Sequence, residues 1–104
     1  MAMNKYLSII TLNINGLNTP IQRHRIAERI RKHDPHISCI QETHLRTKDL
    51  HRLEMNGWKH IFQTNAQEKK GGLAIFISDK IDFKTRAIKR DPHGHFIILK
   101  GRIH

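Results

Sequence analysis

The sequence predicts an α/β fold: a βαβ unit followed by further strands of a mixed sheet. Three observations carry this. A mostly apolar, β-branched run, Leu7 to Leu12, breaks at Asn15-Gly16. A capped stretch with helical periodicity follows from Thr19 to His33. A second short apolar run, Ile37 to Ile40, then completes a strand–helix–strand unit, which implies parallel strands and a right-handed crossover.

Each element has its own local reason. The first strand is apolar nearly throughout, which predicts burial on both faces. Thr19 is a suitable N-cap, Pro20 suits the first helical position, and Gln22 completes a capping box. Ile26, Ala27 and Ile30 form an apolar stripe at helical spacing, while Arg23, Arg25, Arg29, Arg31 and Lys32 occupy the remaining positions. Asp34 precedes Pro35 and is pushed out of helical geometry, so the helix ends near His33. After the second strand, Thr47 to Asn56 predicts a weaker helix with Leu50 and Leu53 inward and Gly57 as its C-cap. Trp58 to Thr64 alternates as a strand does. Residues 65–72 (NAQEKKGG) form a polar, Gly-ended loop, and Leu73 to Ile77 is a strongly apolar strand. Asp82 to Arg90 alternates except at Ile88. Asp91-Pro92-His93-Gly94 has Pro second and Gly fourth, as a type I turn does. Phe96 to Leu99 is a last apolar strand.

With 104 residues the chain is expected to be a single domain. No apolar run approaches the roughly 20 residues that span a bilayer, and the first residues do not read as a secretory signal. Cys39 is the only cysteine, so no intrachain disulfide forms; an intracellular, reducing location in cytoplasm or nucleus is expected. Nineteen Lys and Arg against nine Asp and Glu give a net charge of +10. Such a charge attracts polyanions, nucleic acid foremost; a generic basic protein, unspecific for RNA or acidic membranes, fits it equally.

The polar residues that follow the apolar strands raise the question of a site. Ligands in parallel βαβ units gather at the carboxyl ends of the strands. Asn13 ends the first strand and Glu42 ends the second, 29 positions later. A carboxylate and one or two amides are hard oxygen donors, suited to Mg²⁺. With the basic charge they point to phosphoester chemistry on nucleic acid. The alternative is a simple turn at Asn13-Ile14-Asn15-Gly16 and a solvated Glu42.

Three stretches then carry a resemblance. TLNINGL (11–17), CIQETHL (39–45) and KRDPHGHFIILKG (89–101) resemble the exonuclease III-like endonuclease of LINE retrotransposons, which opens their second open reading frame. This belongs to the DNase I-like endonuclease/exonuclease/phosphatase superfamily. The resemblance implies half of a four-layered α/β sandwich and Mg²⁺-dependent nicking of DNA. It makes Glu42 the metal-binding carboxylate and Asn13 an amide of the catalytic network. Asn15 stands where cellular abasic-site endonucleases carry Asp, which weakens a direct metal role. His44, two residues past Glu42, becomes a candidate for supporting it. The family's later motifs, a Tyr at the phosphate, Gly-Asp-Phe-Asn and Ser-Asp-His, do not occur, and Ser78-Asp79-Lys80 has Lys in place of His. The chain is therefore expected to stop about halfway through the domain, to lack activity alone, and to derive from a degenerate element copy. A noncatalytic module binding nucleic acid or protein is the rival expectation. DNA, bound non-specifically, is the expected partner, with self-association through uncovered sheet faces and with no membrane or small-molecule cofactor.

Other features read more plainly. The nine histidines are scattered and no Cys pair exists, which argues against zinc. Lys69 and Lys70, before Gly71-Gly72, are candidate phosphate contacts, although a solvated hairpin loop is the simpler reading. Trp58 is expected in the core. Cys39 reads as a small buried hydrophobe.

Overall fold

The structure is a computed structural model and describes residues 6–17, 19–45, 57–58, 60–64 and 71–104. Its elements are β1 (Ile9–Asn13), α1 (Pro20–His33), β2 (Ile37–Gln41), β3 (His60–Gln63), β4 (Leu73–Ile77), β5 (Phe83–Arg90) and β6 (Ile97–Ile103). The helix expected at 47–56 lies outside the described residues, as do Lys69 and Lys70.

The capping box at the start of α1 forms as the sequence predicts. The Thr19 hydroxyl accepts from the Gln22 backbone N–H, and the Gln22 side-chain oxygen accepts from the Thr19 N–H, each at 3.2 Å. At the other end Asp34 takes left-handed geometry, φ 47°, and its N–H donates to the Ile30 carbonyl. The following proline keeps it out of the right-handed helix. Ile30 is fully buried and Ile26 packs beside the core, which confirms the apolar stripe.

The main sheet has the order β1-β2-β4-β3. β1 and β2 are parallel, with Asn13 opposite Gln41; β4 is antiparallel to both β2 and β3. This is the expected mixed sheet around a βαβ unit. One face carries Ile40, Ala74 and Phe76, which join Leu17, Ile30, Leu45 and Trp58 in the core. Trp58 meets Phe76 edge-on at 6.4 Å, as a core residue.

The expected two-sided burial of β1 is corrected. The strand alternates exposed and half-buried residues, and Ile9 is 60% exposed. β1 lies at the sheet edge. Its Ile10 and Leu12 face the α1 side, while Ile9, Thr11 and Asn13 on the opposite face stay exposed.

β5 and β6 form a separate two-stranded sheet, from Phe83 opposite Ile103 to Arg90 opposite Ile97, with an irregularity between Thr85 and Ala87. Their turn closes as expected: the Gly94 N–H donates to the Asp91 carbonyl at 3.0 Å. Phe83 seats this hairpin on the main sheet, edge-on to Phe62 at 6.3 Å and to His60 at 6.2 Å. Arg90 Nε adds a hydrogen bond to the Gln63 carbonyl at 2.8 Å. Helix, main sheet and hairpin thus stack as successive layers.

Candidate active site

The loops leaving β1 and β2 are joined through their backbones. The Ile14 N–H donates to the Gln41 carbonyl at 3.1 Å, Gly16 to Glu42 at 2.7 Å, and Leu17 to Thr43 at 2.9 Å. The parallel pairing therefore continues past the strand ends. Asn13 and Glu42 come to one edge of one sheet, as the crossover predicts, and Asn15 and His44 lie on the same two loops.

Three of these residues hold positive φ: Asn15 at 52°, Glu42 at 58° and His44 at 57°. Asn and His are the non-glycine residues that enter this region more readily; Glu adopts it rarely. At Glu42 the left-handed turn breaks the strand alternation, and Glu42 lines, with Gln41, the groove on the hairpin side of the sheet. Gly16, at φ 113°, is a requirement of the site. A Cβ there would stand 3.2 Å from the His44 ring nitrogen Nδ1.

The Glu42 carboxylate is fixed from two directions. His44 Nε2 lies 2.9 Å from its Oε2, and the Gly71 backbone N–H donates to the same oxygen at 3.0 Å. The Thr43 and His44 N–H groups donate in turn to the carbonyls of Gly72 and Gly71, at 3.1 and 3.0 Å. Gly71 is the contact that sequence reasoning missed. The Gly71-Gly72 pair before β4 was the available signal, since both residues take positive φ, 75° and 89°, and so turn the backbone toward Glu42.

Glu42 keeps 43% of its side chain exposed and His44 18%. Glu42 supplies a carboxylate, and Asn13 and Asn15 carry amide oxygens. Among the described residues, no three His, Cys, Asp or Glu side chains converge. Such a donor set fits Mg²⁺, which takes one or two protein carboxylates and retains waters. It does not fit zinc.

Beyond Glu42, a groove of about 530 Å³ runs between the main sheet and the hairpin, lined by Cys39, Leu73, Ile75, Phe96 and Ile97 among others. Burial pushes the Cys39 thiol above its ordinary pKa. In the β5–β6 turn, the Asp91 carboxyl is held below its ordinary value, chiefly by the hydrogen bond it accepts from the His95 N–H at 2.9 Å.

The layers define a class of fold, a layered α/β domain whose polar edge lies at the carboxyl ends of its parallel strands. The sequence profile of the Endonuclease/Exonuclease/phosphatase family matches residues 10–102, and the chain belongs to this family. It is similar in structure to the catalytic domain of APE2 from Xenopus laevis, with TM-score 0.61 and 22% identity, over 81% of this chain and 26% of that one. That likeness establishes the shared fold. The chain spans about a quarter of the length of that structure.

Proposed function

We propose that this chain carries the first part of a Mg²⁺-dependent, DNA-nicking endonuclease domain of LINE retrotransposon type. The observation that carries the reading is the placement of Asn13 and Glu42 at the carboxyl ends of adjacent parallel strands, in a chain of this family. The TLNINGL, CIQETHL and KRDPHGHFIILKG stretches supply the LINE resemblance. A Mg²⁺ ion at Glu42 would polarise a phosphodiester and neutralise charge developing on its oxygens. The residues themselves do the positioning. His44 and the Gly71 N–H orient the Glu42 carboxylate. Asn13 offers an amide to the same edge. Asn15 is neutral and adds no charge toward a metal. An intracellular location, nuclear or cytoplasmic, goes with this reading.

Taken alone, the 104 residues are proposed not to nick DNA. The Gly-Asp-Phe-Asn and Ser-Asp-His motifs do not occur in the sequence, so no matching Asp activates the water and no matching His faces the phosphate. The test is a nicking assay on supercoiled plasmid with Mg²⁺, expected to stay at background. Mg²⁺-dependent nicking that disappears in Glu42→Ala would overturn the proposed inactivity. Metal binding is read separately, from Mn²⁺ broadening of backbone amide signals near Glu42 and Asn13. Broadening that persists unchanged in Glu42→Ala would count against the metal site.

The net charge of +10 favours a second reading, a noncatalytic module that binds nucleic acid. Steep loss of affinity with salt is its signature.

A further inference from the structure

A second site lies away from Glu42, on the helix side of the sheet. Between α1 and the edge strand β1 runs a cleft of about 620 Å³. Its floor is Ile10 and Leu12, both half-buried. Its wall is one stripe of α1, where Arg25, Arg29 and Lys32 follow each other at four- and three-residue spacing and all stand exposed. His24 and His33 flank the stripe at its two ends. Glu28 is the single carboxylate in it, and the Arg31 guanidinium pairs with that carboxylate. Arg25, Arg29 and Lys32 have no ion-pair partner among the described residues.

We propose that this cleft is a track for the phosphodiester backbone of single-stranded nucleic acid. The inference rests on the second reading above and assigns it a place. The charge is complementary: three strong cations against one carboxylate that is already paired. The length is right, because the stripe from residue 24 to 33 extends about 13 Å along the helix axis at 1.5 Å per residue. A stretch of that length faces the phosphates of a few consecutive nucleotides. The floor is suited too, since half-buried aliphatic groups beneath the cations give base faces an apolar surface, while the cations take the phosphates.

An anionic membrane fits the same charge less well. Interfacial helices turn an apolar face toward the acyl chains. Here the apolar stripe of α1, Ile26 and Ile30, packs into the core, and Ile10 and Leu12 lie recessed below the cations. A flexible strand can enter such a cleft; a bilayer surface cannot.

The test uses the whole chain and a fluorescent single-stranded oligonucleotide, with anisotropy measured across a salt series. The triple variant Arg25→Gln, Arg29→Gln, Lys32→Gln should flatten the slope of log affinity against log salt by about 2, at about 0.7 for each phosphate no longer neutralised. At 50 mM salt its affinity should fall by about tenfold or more, as phosphate neutralisation dominates binding at low salt. A control triple of equal charge on the hairpin, Lys89→Gln, Lys100→Gln and Arg102→Gln, should change the slope far less. Glu28→Gln removes the one carboxylate of the stripe and should tighten binding, a gain that no folding defect can mimic. Equal losses from both triples would overturn the cleft while leaving general polyanion binding intact. Binding undetectable in every form of the chain would overturn the cleft and the second reading together. Phosphatidylserine vesicles that bind the chain and displace the oligonucleotide, with the same dependence on the α1 triple, would overturn the nucleic-acid assignment in favour of a membrane.

Discussion

Gly101 shows how one absent methyl group can hold two sheets together. A Cβ built there would lie 2.0 Å from Phe83 Cζ and 2.3 Å from Cε2, so the ring rests directly on the glycine backbone. That position puts Phe83 against Phe62 and His60. Gly101→Ala must therefore shift the ring that seats the hairpin. A loss of about 1–3 kcal/mol is expected, the usual range for forcing extra volume into a packed contact. Urea unfolding should show a lower midpoint at unchanged slope. The loss should shrink in a Phe83→Leu background, since residues in contact couple. Cys39 gives a residue-scale prediction of a different kind. Only the thiolate reacts, and burial raises the pKa of this thiol. Its alkylation should therefore be slower than that of a free cysteine near neutral pH, and should keep accelerating with pH beyond the point where a free cysteine levels off. A rate equal to that of the unfolded chain in urea would contradict the burial.

At the scale of elements, α1 and the β5–β6 turn make separable predictions. Thr19→Ala removes the hydroxyl that accepts from Gln22 and should lower stability by about 1 kcal/mol, as N-cap truncations do; thermal unfolding measures it. In the turn, the Asp91 carboxylate accepts from the His95 N–H, and its folded pKa is depressed. Its support is therefore present above the carboxyl's unfolded pKa and is lost as pH falls through the lower, folded value. The His95 amide should be protected from exchange near neutrality and should lose that protection only in the acidic window; Asp91→Asn should remove the pH dependence. The same elements explain what was legible in the sequence. Thr19, Pro20, Gln22 and the Asp34-Pro35 pair fix helix ends by local chemistry, and such chemistry reads directly from residue types. The 29-position spacing of Asn13 and Glu42 became a shared edge through crossover geometry alone. The exposure of β1 was not legible. Thr11 and Asn13 alternate with Ile10 and Leu12, but Leu7 and Ile9 on the exposed face mask that pattern, and edge position depends on partners elsewhere in the chain. The Gly71 contact to Glu42 left only an indirect mark: the Gly71-Gly72 pair signals a positive-φ turn, but residue types do not say which side chain its backbone N–H will meet.

The whole molecule is open for its size. Its accessible surface is 7448 Å² at 12.2 kDa, where a compact monomer of that mass exposes about 6,000 Å². Its extents, 51 × 29 × 20 Å, are correspondingly elongated. Phe96, Ile98 and Ile103 are exposed on and beside β6, and β6 has one partner strand in its sheet. Exposed apolar residues on an edge strand favour pairing with another chain. Sedimentation velocity should show concentration-dependent association, reduced by Ile98→Lys; a monomer at every concentration would show that the hairpin is tolerated as it stands. The strand order carries a further consequence, for the timing of folding. β2 lies between β1 and β4, so its partners are far off along the chain: Ile37 pairs with Ile9 on one side and Ile77 on the other. Closing such separations takes an entropy loss before any contact repays it. α1 and the β5–β6 hairpin are local and form without that delay. The central strand, and the Glu42 edge with it, is therefore assembled late, when β4 arrives, and a nascent chain has its helix long before it has its site.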